Sequence, residues 1–289
     1  MSKRFLIVCL SLGALCGAGQ AHEDILVRIT ALDTALAEHP DATLYSRRAD
    51  LFRRHHDWTK ALRDYDRAAA LAPDDPAIAI GRARVFLDSG APRKALDILA
   101  PLLAATPDQS PARLLEARAF AALAETEKAS ASFTRALALL APPLPEHFLE
   151  HAEALASATP PRYVEAIFAL DTGLERFGDL VSLHERALAL ERLSGQPENA
   201  LARVRRVLAT AGTDLPSWRL DEAEILVTLH RLPEAREALA TVFTHLENLP
   251  PRRRNTPARE ALAQRAADLR ESLTSVACPS APDPGSPAP

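Results

Sequence analysis

Cysteine is nearly missing from this chain. Of the three present, Cys9 and Cys16 lie in an N-terminal apolar run and Cys278 in a proline-rich end. Loss of that run would leave Cys278 alone, without a partner for an intramolecular disulfide. Stability must then come from packing, and 289 residues at 47% hydrophobic supply the material. Aromatics are few, at 5%, while alanine is abundant, a composition suited to closely packed helices. No stretch argues for a β-strand. Lysine is scarce as well, so arginine carries almost all the positive charge. The 34 basic residues face 38 acidic ones, for a net charge of -4. This balance gives no global electrostatic case for nucleic acid, which requires basic residues clustered on one face. Three chemical signatures are also lacking: a glycine-rich phosphate loop, a G-x-S-x-G nucleophile turn and a cysteine pair for a metal. A nucleophilic enzyme is not supported, and no cofactor is implied.

What is present is a period. Stepping 34 residues from Ala49, Phe52, Ala61 and Pro73 lands on Ala83, Phe86, Ala95 and Pro107. A second step lands on Ala117, Phe120 and Ala129, with Pro142 one residue late. Repetition at this interval marks a stack of similar units. Each unit reads as a helix, a tight turn, a second helix and a proline that ends it. Helices of about 14 residues are marginal alone in water and persist by packing. Ala49, Ala83 and Ala117 leave room for an antiparallel partner helix, and Phe52, Phe86 and Phe120 lie i+3 from them on the same face. In the second helices Ala61, Tyr65 and Ala68, then Ala95, Leu99 and Leu102, then Ala129, Phe133 and Ala136 form the i, i+4, i+7 stripe of an amphipathic helix.

This run of alanine, aromatic, alanine, aromatic or leucine, alanine and proline resembles the tetratricopeptide repeat family over most of the chain. The resemblance implies an all-α, right-handed solenoid of helix-turn-helix pairs whose concave groove receives a peptide or another protein. Glycine is common in the family's turn and stands here at Gly90 and Gly195; His56 and Ala124 replace it in the first and third units, whose turns are still expected to close.

Taken in order, residues 1–21 read as a secretory signal: Lys3 and Arg4, an apolar run too short to span comfortably, then small residues before Ala21. Attachment of lipid at Cys16 is the rival expectation. Residues 22–41 suggest the second helix of an incomplete unit. Six pairs follow over 42–249, at 42–75, 76–109, 110–143, 144–178, 179–214 and 215–249. A basic loop and capping helix occupy 250–275, with Thr256 as N-cap and Pro257 at the first helical position. The proline-rich residues 276–289 cannot form a core and read as a disordered tail.

The resemblance places the groove on the first helix of each pair, on the face opposite its packing alanine. Projected there are Ser46, Asp50, Arg53 and Arg54, then Ile80, Arg84 and Leu87, then Leu114 and Arg118, and later Leu149, Glu153, Leu220 and Glu224. Arg53, Arg84 and Arg118 suggest a ladder for a carboxylate-bearing peptide, because guanidinium grips carboxylate with two prongs; ordinary solvated arginines with local acidic partners are the alternative. The expected function is therefore a non-catalytic scaffold or adaptor holding a protein or peptide in the cell envelope, periplasmic or secreted. A membrane assembly factor anchored at Cys16 is a second reading.

A third comes from His147-Phe148-Leu149-Glu150-His151, which fits the H-x-x-E-H zinc hydrolase pattern. His151 falls, however, at the repeat position held elsewhere by Arg48, Arg82, Glu116 and Glu222, a variable polar site, and a catalytic zinc also needs a third ligand and an open position.

Overall fold

The packing alanines become the points where helices touch. In the computed structural model, which describes residues 24–210, 215–250 and 256–275, Ala49, Ala83, Ala117, Ala152, Ala187 and Ala223 are all fully buried. Regular structure among these residues is entirely helical. The expected signal, the connection at 211–214, the basic run at 252–254 and the tail lie outside the described residues.

The helices fall into two compact units that divide between Pro143 and Leu144. The first holds α1 (24–38), α2 (Ala42–Arg54), α3 (Trp58–Leu71), α4 (Pro76–Asp88), α5 (Pro92–Ala105), α6 (Ser110–Ala122) and α7 (Thr126–Leu139). Here α2 packs on α3, α4 on α5 and α6 on α7, while α4 and α6 also follow the preceding second helix. Tyr65, Leu99 and Phe133 are the large residues buried at successive levels. The early helix α1 buries Ile29 and Leu36 and is tied to α2 by Arg48, whose guanidinium reaches Asp33 at 2.6 Å.

The second unit holds α8 (Pro145–Ala156), α9 (Tyr163–Phe177), α10 (Val181–Leu193), α11 (Pro197–Thr210), α12 (Pro216–Thr228), α13 (Leu232–Asn248) and α14 (Pro257–Ser275). Its core gathers Leu201, Val204, Trp218, Leu220, Leu226, Leu239 and Val242. The last helix, α14, starts where Thr256 accepts a hydrogen bond from the Arg259 amide at 3.4 Å, and it buries Ala266 and Leu273 against α13.

Five of the six turns within pairs close in one way regardless of residue, the longer α8–α9 connection closing instead through the Arg162 amide on the Leu155 carbonyl at 3.0 Å. His56, Gly90, Ala124, Gly195 and His230 all have φ between 57° and 74°. The following amide then donates back to the helix: Asp57 to the Phe52 carbonyl at 2.9 Å, Ala91 to Phe86 at 2.8 Å and Glu125 to Phe120 at 2.9 Å. Gln196 to Glu191 and Arg231 to Leu226 complete the set at 2.9 and 2.8 Å. Satisfying these terminal carbonyls compensates a left-handed conformation that ordinary side chains resist.

Lysine, scarce in the sequence, turns out to have a place. Lys60, Lys94 and Lys128 recur 34 residues apart and sit over Phe52, Phe86 and Phe120 at 5.4, 5.8 and 5.3 Å from the ring centres. Each covers its aromatic with a methylene stem and sets the ammonium over the ring face.

Candidate partner-binding site

One position recurs along the first helices, occupied by Asp50, Arg84 and Arg118 in the first unit and by Glu153 and Glu224 in the second. It lies one residue beyond the packing alanine and turns to the outer side of the helix, except in α10, where Leu188 holds the position and is buried. At Asp50, Glu153 and Glu224 the side chain is in an ion pair. At Arg84 it is not: among the described residues this exposed guanidinium has no carboxylate partner.

In the first unit Arg84 lies in a cavity of about 490 Å³ lined also by Arg53, Leu87 and Arg118. Three further residues, Asp88, Leu115 and Ala122, complete the lining. Sequence reasoning passed over these three, although the period holds a signal for Ala122, which stands 34 residues after Asp88. The three arginines are not equivalent. Arg53 reaches Asp88 of α4 at 2.5 Å and Asp50 at 3.3 Å. Partial burial works against its charge, but these two carboxylates overcome that and raise its pKa. Asp50 also faces the buried Tyr65 hydroxyl, whose pKa is pushed up by burial first and by Asp50 second. Arg53 is therefore a framing element of the cavity. Arg54 is exposed and contributes nothing to the lining.

Tyr65 occupies its place because Gly81 has no side chain. A Cβ on Gly81 would lie 2.3 to 2.4 Å from the Tyr65 ring and hydroxyl. The glycine thus makes room for the Tyr65 ring between α3 and α4.

In the second unit the expected acidic residues are engaged. Glu153 on α8 accepts from Arg186 on α10. Asp221 on α12 takes Arg192 of α10 at 3.0 Å. Glu224 takes Nε and Nη2 of Arg265 on α14, each at 2.6 Å. First helices here are tied to one another through this row. A separate cavity of about 450 Å³, bordered by Asp171, Glu191 and Arg203, has its central arginine engaged by Glu191 at 2.8 Å and Asp171 at 2.9 Å.

Three other residues expected on the groove face inward. Ile80 and Leu114 are 8% and 7% exposed and Leu220 is fully buried. Each stands three residues before a packing alanine, so helical geometry puts it on the alanine's face.

The position shared by Arg48, Arg82, Glu116, His151 and Glu222 also differs from expectation. It is an enclosed site between helices, where Arg48 meets Asp64 at 2.6 Å, Glu116 accepts from Ser132 at 2.8 Å and Glu222 accepts from Arg205 at 2.9 Å. His151 is 8% exposed here, and burial first, then the Arg162 charge, lower its pKa to about 4. His147 is equally enclosed, with Nδ1 accepting from the Leu144 amide at 3.2 Å. Both rings point into packing, where a catalytic zinc would lack its open position. No group of three His, Cys, Asp or Glu side chains among the described residues is arranged to hold a metal ion.

Comparison with known proteins agrees with this architecture. Residues 52–119 match the family model described as tetratricopeptide repeat. No curated protein sequence matches the chain. Among solved structures, a tetratricopeptide repeat protein from Parabacteroides merdae superposes with a TM-score of 0.51 at 17% identity, over 85% of this chain and 93% of that one. PilW, a widely conserved type IV pilus biogenesis factor, superposes with a TM-score of 0.54 at 17% identity, over 78% of this chain and all of PilW. At such identities the likeness is one of fold.

Proposed function

This chain is a tetratricopeptide-repeat protein, and from that premise we propose that its first unit binds a carboxylate-bearing peptide or protein segment at the cavity around Arg84. The fold is that of a protein-interaction scaffold, a class that is in general non-catalytic. The observation that carries the reading is the unpaired Arg84, at a repeat position where Asp50, Glu153 and Glu224 are each paired. A carboxylate supplied from outside completes the pattern, with Leu87, Leu115 and Ala122 offering apolar contact beside it. Arg118 lies on the same wall and adds to the positive field.

The test is a selection of random peptides displayed against the intact chain. Enrichment of sequences carrying Asp, Glu or a free C-terminus, lost when Arg84→Glu is the bait, supports the site. Enrichment of basic or purely apolar sequences contradicts it.

The scaffold acts after export, a reading supported by Lys3, Arg4 and the short apolar run before Ala21. No helix among the described residues is long and apolar enough to cross a membrane. The intact mass of protein recovered from the native cell separates the routes: a chain starting at His22 marks simple cleavage, and a diacylglycerol-modified chain starting at Cys16 marks an anchored protein. Retention of Met1 to Ala21 in a cytoplasmic fraction overturns export.

A further inference from the structure

Asp221 and Glu224, an acidic pair on the first helix α12, are met by α14, the last of the described helices. Arg265 of α14 lays Nε and Nη2 on the two oxygens of Glu224 at 2.6 Å each, and Nη2 also reaches Asp221 at 2.7 Å. Hydrogen bonding to Glu224 is the leading cause of the raised pKa of this arginine. The same two carboxylates have a second cation, Arg192 of α10, at 3.0 Å from Asp221 and 3.3 Å from Glu224. Departure of Arg265 therefore leaves them still partly neutralised, and the acidic face persists without α14.

The rest of α14 is held by one apolar stripe. Of its 19 residues Ala266 and Leu273 are fully buried, with Leu262, Ala263 and Leu269 half-buried against the same core. Beyond these lies a gap of about 400 Å³ between α13 and α14, walled by Leu239, Phe243 and Leu273 and spanned by Arg270 over the Phe243 ring at 4.3 Å. Here one end is held by charge, and at the other, part of the Phe243 ring stays uncovered beside the gap.

We infer that the Asp221 and Glu224 face of α12 is a binding site for an arginine-bearing amphipathic helix, and that α14 is its resident occupant, exchangeable for a partner's helix of the same chemistry. Tethering gives α14 the advantage of effective concentration, so a partner helix must match the arginine and fill the gap beside Phe243 more fully. This site is independent of Arg84 and stands whether or not the first unit binds an acidic ligand.

The experiment uses the full chain and a fluorescently labelled synthetic peptide of residues 256–275, followed by anisotropy. In the wild type the resident helix competes and peptide binding is weak. Arg265→Glu removes the resident's grip, and the peptide then binds at least tenfold more tightly, with an affinity that falls as salt rises. Adding Glu224→Lys to that variant abolishes the gain. Equal binding by wild type and the folded Arg265→Glu variant overturns the inference, as does binding that survives Glu224→Lys.

Hydrogen exchange on the unmutated chain decides the matter should the variants fail to fold. Amides of 262–273 exchanging at least tenfold faster than those of α12 and α13 in high salt support an exchangeable helix. Equal protection overturns it.

Discussion

Arg53 of α2 and Asp88 of α4 meet at 2.5 Å across the wall of the first unit's cavity. That pair settles the roles of neighbouring arginines that look alike in the sequence. Arg53 braces two helices, while Arg84, one repeat on, lines the same cavity with no carboxylate of its own among the described residues. The wall of this cavity thus combines a braced ion pair with one arginine that has no carboxylate partner among the described residues.

The seat of Tyr65 depends on Gly81. Glycine within a helix ordinarily costs about 1 kcal/mol relative to alanine, so Gly81→Ala is favourable by propensity alone. The added methyl, however, would fall 2.3 Å from the Tyr65 ring, and a fully enclosed ring has nowhere to move. Overpacking prevails, and Gly81→Ala is expected to lower stability by about 1 to 3 kcal/mol. Urea denaturation monitored by circular dichroism checks this; a variant as stable as the wild type shows that Tyr65 is free to shift.

The shared turn gives a prediction of opposite sign. Ala124 has a φ of 57°, a conformation that costs an L-residue roughly 1 to 2 kcal/mol and glycine almost nothing. Glycine's greater freedom in the unfolded chain takes back part of that gain. Ala124→Gly is therefore expected to stabilise by up to about 1 kcal/mol, read as a higher melting temperature. A fall in melting temperature contradicts the turn geometry.

His151 supplies a pH dependence. Its folded pKa is lowered to about 4, while the unfolded imidazole titrates near the ordinary 6.5. The contribution of the buried neutral ring is thus fully present above pH 6.5. It is lost progressively as pH falls toward 4, because only the unfolded chain takes up the proton, and the loss amounts to roughly 3 kcal/mol. Arg162 reinforces the shift and Glu165 opposes it. Comparing unfolding free energies of wild type and His151→Leu from pH 7 to pH 4 isolates the effect: the variant's curve is flatter by about one proton, and parallel curves contradict the account.

The fold was legible because its constraints repeat. Ala49, Ala83 and Ala117 must be small wherever helices cross, so the 34-residue period registers in residue type. The turn was less legible, since backbone hydrogen bonds to Phe52 and Phe120 close it over His56 and Ala124 as well as over glycine. The site was legible only in outline. Register placed Arg53, Arg84 and Arg118 together, yet pairing is decided by neighbours distant in sequence. Nothing local to Arg53 announces Asp88, 35 residues on, and nothing local to Glu224 announces Arg265, 41 residues on. Ile80, Leu114 and Leu220 misled because each stands three residues before a packing alanine and so lies on the buried face, not opposite it.

The most direct measurement is calorimetric titration of a selected acidic peptide into the wild-type chain and into Arg84→Gln, a substitution that removes the charge and keeps a polar side chain. A charge-assisted hydrogen bond contributes about 1.5 to 3 kcal/mol, so the account predicts binding weaker by about 10- to 100-fold in the variant, with the wild type's salt dependence reduced. Identical affinity and identical salt dependence in the two proteins would contradict it.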